Sequence, residues 1–259
     1  MANLHDETNV RRDRDPAAEF SVVPGANPVL EADRYWQYHL ETNQSVVTKY
    51  WTGVKQSQRR CAHCGHSSYS FDTFDQLLLA IPSNRAKKQP LTLEACLFGN
   101  LSPERLKDYR CDGCNTADHV VQATSLARIP ELLCICLNRF HTQYYSRGQP
   151  VIRKTLERIS FDFDNVDLDA FVAEGVSGTH PYECFAVVVH RGNTTESGHY
   201  FAYVRDPHDP YSNTWYCADD ADVREHGRPG TGSKEKEKIL AHDDAVPYIL
   251  YLRRKRARL

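Results

Sequence analysis

The sequence predicts an α+β domain whose second half is dominated by an antiparallel sheet. Apolar and β-branched runs recur from residue 119 onward: HVVQATSLARIP, ELLCICLNRF, YECFAVVVH, HYFAYVR, TWYCAD and VPYILYLRR. Successive runs of this kind, separated by turns, read as strands of one sheet. Ahead of them LTLEACLFGNLSPERLKDY reads as helical, with Leu93, Cys96 and Leu97 on one face. A helix followed by a long series of strands, with no βαβ alternation, gives the class.

Taken in order, residues 1–30 are charged, then rich in Pro, Ala and Gly, and read as a mobile, disordered arm. From Trp36 to Val54 the chain turns aromatic and β-branched, with rough alternation at Val47, Lys49, Trp51 and Gly53. That predicts a strand running up to Cys61. Phe71, Phe74 and Leu77 to Leu79 predict a second strand that Pro82 ends. Thr92 is placed to cap the helix, and Ser102-Pro103 to open a further turn. RISFDF adds a short strand. Loops are predicted at 141–150 and at 224–244, the latter a flexible Gly/Lys/Glu-rich insertion. Arg253, Arg254, Lys255, Arg256 and Arg258 form a basic run that ends in a solvated tail at 255–259.

Composition excludes several classes. Hydrophobic residues make up 41% and charged residues 25%, ordinary for a globular protein. A net charge of -2 gives no general attraction to nucleic acid or to an anionic membrane. No apolar run approaches the roughly 20 residues that span a bilayer, and residues 1–20 lack the apolar core of a signal peptide. The chain reads as cytosolic or nuclear. Nine cysteines, an odd count in such a compartment, argue against a disulfide framework.

Four of those cysteines form two Cys-x-x-Cys pairs, Cys61/Cys64 and Cys111/Cys114. Two such turns offer four thiolates in a tetrahedron and close a structural Zn²⁺ site with no open position. A redox role needs a single pair beside a βαβ unit, which this sequence lacks. His63 and His66 lie close by, but four thiols leave them as bystanders. A zinc-ribbon module for nucleic acid is disfavoured, because no basic, aromatic-interleaved stripe surrounds the knuckles.

The second constellation is Gly198-His199-Tyr200 at the head of one strand and Asp219-Asp220 at the end of the next. A strand–loop–strand hairpin can bring His199 beside Asp219, whose carboxylate then fixes the imidazole tautomer and stabilises its charged form. That is the base-and-orienter half of a Cys/His/Asp triad. An ordinary hairpin with a surface histidine is the plainer alternative.

GHYFAYVR, WYCADDADV and AVPYILYLRR resemble the closing segment of ubiquitin-specific proteases, ARIPELLCICLNRF and YECFAVVVHRG resemble two earlier strands, and the paired knuckles resemble the family's zinc-bearing fingers. The resemblance runs from about Trp36 to Arg254. It implies a papain-like cysteine peptidase fold, present in part over 31–254, with fingers at about 45–125, a palm at about 126–254 and the helical thumb mostly missing. It implies His199 as general base, Asp219 as its orienter and Asp220 as a polar neighbour of the oxyanion. Gly198, Tyr200 and His190 would line the cleft for ubiquitin's C-terminal tail, with Zn²⁺ on Cys61, Cys64, Cys111 and Cys114 and ubiquitin or ubiquitinated proteins as partners. Membrane and nucleic acid are not expected.

One departure bears on activity. The family's nucleophile sits in an N-terminal box at a helix start, and residues 1–60 hold no cysteine. Cys96, Cys134, Cys136, Cys184 and Cys217 lie in apolar segments with no such setting. The expectation is a deubiquitinase-family chain that is a truncated product, inactive alone. The alternative is a non-catalytic module that binds ubiquitin.

Overall fold

A computed structural model describes residues 1–11, 19–82, 91–143, 149–178, 181–194, 197–209, 212–228, 236, 239 and 244–255. Helices α1 (Ala2–Thr8), α2 (Pro28–Thr42) and α3 (Val46–Tyr50) lead into strands β1 (Gly53–Cys61) and β2 (Ser67–Phe74). Then come β3 (Leu77–Ala80), β4 (Leu91–Thr92), helix α4 (Leu93–Leu101) and β5 (Glu104–Arg105). Strands β6 (Val120–Arg128), β7 (Leu132–Asn138), β8 (Phe140–Gln143), β9 (Val151–Lys154), β10 (Ile159–Ser160) and β11 (Val166–Asp167) follow. The chain closes with β12 (Pro181–Arg191), β13 (His199–Arg205), β14 (Trp215–Asp219), β15 (Asp222–Gly227) and β16 (Val246–Arg254). The class is the predicted α+β, with few helices and mostly antiparallel strands.

The chain divides into two compact units. The first comprises Met1–Gln76, Leu101–Leu133 and Leu168–His180 and is built on a sheet in the order β2-β1-β6-β5. Ala32 and Trp36, one turn apart on α2, pack with Val54 of β1 and Phe71 of β2. Helices α2 and α3 replace the first part of the strand expected from Trp36; the strand itself begins at Gly53 and runs up to Cys61, as expected. Asn27 caps α2 by accepting from the Val29 N–H, Pro28 opens it, and Ser45 caps α3 through the Thr48 N–H. Aromatic and β-branched content was therefore outweighed by caps and by a four-residue apolar spacing. The arm expected to be disordered also contains structure. In α1 the His5 ring meets the Ser45 hydroxyl at 2.8 Å, and the Asn9 side chain bonds the Thr42 carbonyl and the Gln44 N–H at 2.9 and 2.8 Å.

The second unit comprises Leu77–Asn100, Cys134–Asp167 and Pro181–Leu259. Its sheet runs β15-β14-β13-β12-β16-β7-β3, with β11 beside β12. β3 pairs in parallel with β7, so residues 77–80, inside the expected 45–125 fingers, belong to the large sheet. Helix α4 is shorter than predicted, ending at Leu101, and Thr92 caps it through the Ala95 N–H at 3.1 Å. Ser102-Pro103 leads into β5 and not into another helical turn. Ile135, Leu137, Val187, Val246, Leu250 and Leu252 are fully buried in this sheet.

Arg139, fully buried, donates to the carbonyls of Pro247, Thr155 and Glu157 and so ties the β8–β9 ribbon to β16. That ribbon takes up the first three residues of the predicted 141–150 loop, and β9 begins just past its end, at Val151. At 224–244 the first residues continue β15, paired with β14, and most of the rest lies outside the described residues. The basic tail also lies outside them, except Lys255.

Candidate functional site

Each cysteine pair sits on a knuckle with one shared backbone plan. In the first, the Cys61 N–H donates to the His66 carbonyl and the Gly65 N–H to the Cys61 carbonyl, both at 2.9 Å. In the second, Cys111 N–H donates to Thr116 at 3.0 Å and Asn115 N–H to Cys111 at 2.8 Å. The residue after the second cysteine is left-handed in both, Gly65 at φ +76° and Asn115 at φ +57°, residue types that accept this conformation. Pairing of β1 with β6 brings the knuckles together, Cys61 lying opposite Val120.

The four sulfurs cluster, with Cys61 Sγ 3.9 Å from Cys114 Sγ and Cys64 Sγ 3.7 Å from Cys111 Sγ. A tetrahedron with metal–sulfur bonds of about 2.3 Å has edges of about 3.8 Å, so the cluster could hold a metal ion. The thiols also respond to one another. The Thr116 hydroxyl, at 3.0 Å, holds Cys114 down to about 6. Against a backbone N–H from His66, desolvation and the neighbouring sulfurs push Cys64 up to about 12. His63 and His66 are not among the four clustered ligands; the His63 ring lies tilted beside that of His119 at 5.8 Å, and His66 lies against Gly113.

The second site lies on β12, β13, β14 and the turns that join them. β13 pairs with β12, Arg191 opposite His199, and with β14, Ala202 opposite Ala218. Period-two alternation from that register puts His199, Phe201, Cys217 and Asp219 on one face. His199 Nε2 hydrogen-bonds Asp219 Oδ1. A carboxylate only accepts, so Nε2 carries the proton and Nδ1 is left with its lone pair. The hydrogen bond to Asp219 raises the His199 pKa above its ordinary value, opposed by desolvation and helped by the charges of Asp219 and Asp220. Both side chains stay open to solvent, at 40% and 39%.

Asp220 begins the two-residue turn from β14 to β15 at φ +53°, where aspartate is tolerated, and offers a carboxylate within 4.8 Å of the pair.

The three residues expected beside the tail cleft also come together. His190 is buried, its ring 4.6 Å from that of Tyr200, which is half exposed. Burial, and Lys154 secondarily, push the His190 pKa down, and its Nδ1 has no hydrogen-bond partner among the described residues. Gly198 lies directly over the His190 ring: a Cβ there would also meet the Arg191 carbonyl at 2.8 Å. The glycine is required by this close approach and not by its dihedral angles.

The remaining thiols are apolar in character. Desolvation raises Cys96 to about 11 and Cys134 and Cys184 to about 12, and raises Cys136 and Cys217 as well. Among the described residues, the hydrogen-bond partner of the His199 ring is Asp219. Sequence reasoning passed over Lys154 and Asp244, which bond the backbone beside this site. Neither stands in a recognisable motif, and their contacts are long-range.

A family model described as ubiquitin carboxyl-terminal hydrolase matches residues 1–251. The chain is similar to ubiquitin carboxyl-terminal hydrolase 3 of Homo sapiens, 31% identical over 193 residues, covering 69% of this chain and 35% of that protein. It is similar to ubiquitin carboxyl-terminal hydrolase 23 of Arabidopsis thaliana, 29% identical over 199 residues, covering 76% of this chain and 21% of that protein. The chain thus spans about a third or less of these two relatives' lengths. Among solved structures it superposes on the SAGA Ubp8/Sgf11/Sus1/Sgf73 DUB module bound to ubiquitin aldehyde with a TM-score of 0.64 at 20% identity, covering 89% of this chain and 48% of that one. A yeast SAGA DUBm structure gives 0.66 at 22% identity, with the same coverage of both chains. The structural likeness establishes the fold.

Proposed function

The chain belongs to the ubiquitin carboxyl-terminal hydrolase family, and from that premise we propose that His199 and Asp219 are the base and orienter of thiol-dependent cleavage at ubiquitin's C-terminus. The carrying observation is the hydrogen bond from the imidazole to Asp219. With Nε2 committed to that carboxylate, Nδ1 is the atom that takes a proton from a cysteine thiol. The thiolate attacks the carbonyl carbon of ubiquitin's last glycine, the C–N bond breaks as the imidazolium protonates the departing lysine amine, and water then hydrolyses the thioester to free ubiquitin and the thiol. Asp219 keeps the ring in one tautomer and stabilises its cationic state. Asp220 adds negative charge beside it, and Gly198, Tyr200 and His190 flank the path of the ubiquitin tail.

The activated sulfur is not one of this chain's nine cysteines. Four are gathered in the knuckle cluster, and desolvation raises the thiol pKa of the other five. An activated thiol would sit at hydrogen-bond distance from the imidazole, and among the described residues the partner of the His199 ring is Asp219. The chain alone binds ubiquitin without cleaving it. The four-cysteine cluster holds a structural Zn²⁺, supported by sulfur separations of 3.7 and 3.9 Å.

Two measurements on the full chain test this reading. Fluorescence polarisation with labelled ubiquitin is expected to show saturable binding, and a ubiquitin probe with a thiol-reactive C-terminus is expected to form no adduct. An adduct on any of the nine cysteines overturns the claim of inactivity. Absence of binding overturns ubiquitin as the partner.

A further inference from the structure

Beneath the turn that delivers His199 lies a charged knot that the chemistry above does not use. Lys154, the last residue of β9, sends its ammonium to the carbonyl oxygens of His190 at 2.7 Å, Gly192 at 2.6 Å and Asp244 at 2.9 Å. An ammonium has three N–H donors, and all three are spent on backbone. Two hold the exit of β12. The third holds Asp244, two residues ahead of β16. Asp244 closes the loop by accepting the Gly192 N–H on Oδ2 at 3.0 Å.

The knot sits one step from the imidazole. Gly192 is left-handed, at φ +108°, and packs so tightly that a Cβ on it would stand 3.0 Å from Gly198 Cα and from the Ser197 carbonyl. The arm that Lys154 grips therefore rests on the arm that ends in His199. The register says the same, since Arg191, between the two gripped carbonyls, is the partner of His199 across β12 and β13.

The clamp is itself anchored. Lys154 pairs with Phe140 across β8 and β9, and the Phe140 ring packs edge-on against His190 at 5.6 Å. Arg139 fixes two carbonyls just past Lys154, those of Thr155 and Glu157, at 3.0 and 2.9 Å. A lysine ending a short surface ribbon usually extends into water. Here it is drawn inward, where burial, with Arg139 adding, lowers its pKa to about 8.

We propose that Lys154 and Asp244 are positioning residues for His199, holding the turn between β12 and β13 so that the imidazole meets the Asp219 carboxylate. The inference rests on reading His199 as the proton acceptor. It assigns no contact with substrate to either residue.

The test is a titration of the His199 ring by NMR in the full chain, compared across Lys154→Met, Lys154→Arg and Asp244→Ala. Lys154→Met and Asp244→Ala are expected to move the His199 midpoint down, toward that of a free histidine, while the other histidines keep theirs. Lys154→Arg, which retains a multidentate cation, is expected to stay near the parent. A His199 midpoint unmoved in Lys154→Met overturns the proposal. Should that variant fail to fold, Asp244→Ala decides, because it keeps the ammonium and removes only the carboxylate on Gly192. The readout needs neither ubiquitin nor a nucleophile. A chain that shows the shift but does not bind ubiquitin refutes the proposed function and leaves the clamp standing; binding without the shift does the reverse.

Discussion

The four-cysteine cluster and the His199–Asp219 pair are each assembled from two turns, but the information that builds them lies at different ranges. Each knuckle is a self-contained run of six residues with its own hydrogen bonds and its own left-handed position, Gly65 or Asn115. The pairing of β1 with β6 then needs only to bring two finished objects together. His199 and Asp219 have no such local frame. They meet because β13 and β14 hold one register, and because the turn before His199 is packed against His190 and held by Lys154. A ligand cluster tolerates looseness that its ion can draw in. The His199–Asp219 pair depends on neighbouring packing.

The largest effect expected from this difference is on metal removal. Metal binding to a four-thiolate site contributes on the order of 10 kcal/mol of folding free energy to small zinc modules. Stripping the ion with a strong chelator, or Cys111→Ser, is expected to abolish hydrogen-exchange protection in Arg59–Cys61 and Val120–Gln122. Protection in β12 and β13 should persist, and metal analysis of the untreated chain should return one ion. If exchange quickens equally in both places, the two sites are not independently built.

A smaller effect is expected at the other site. Gly198→Ala places a methyl group 2.8 Å from the Arg191 carbonyl and against the His190 ring. Overpacking of this kind costs about 1–3 kcal/mol. Thermal unfolding should show that loss while the metal content stays at one ion per chain. An unchanged melting temperature means the turn can give way, and the supposed rigidity of the site is lost with it.

The same contrast explains what could be read in advance. Cys61, Cys64, Cys111 and Cys114 announce themselves by spacing, and the six long strands from β6 to β16 by their apolar runs. His199 and Asp219 could be named because a histidine heading one strand and an acid ending the next leave few hairpin registers. Other features were hidden by physics that acts at a distance. Around Trp36 the aromatic content favours a strand, but the Asn27-Pro28 cap and the Ala32–Trp36 spacing make a helix. β3 looked like part of the fingers because parallel pairing with β7, more than fifty residues on, leaves no local mark. Lys154 resembles any other lysine near a loop; its three carbonyl acceptors come from residues 190, 192 and 244.

The smallest effect is the most discriminating. His199 titrates above its ordinary value of 6.5, so its folded pKa is raised. The linked stabilisation is fully present below about 6.5 and disappears as pH rises through the folded value. Asp219→Asn removes the charged acceptor and should lower the His199 midpoint measured by NMR. The melting temperature should hardly change, because both groups are about two-fifths exposed and surface pairs contribute little. Asp220→Asn keeps a residue type that accepts the left-handed turn at φ +53°, so it tests charge without strain. Its effect should be the lesser, since Asp220 acts on the ring through charge while Asp219 also bonds it. Equal shifts from the two variants would mean that a diffuse acidic field sets the imidazole, in which case register would no longer separate this site from the cysteine cluster.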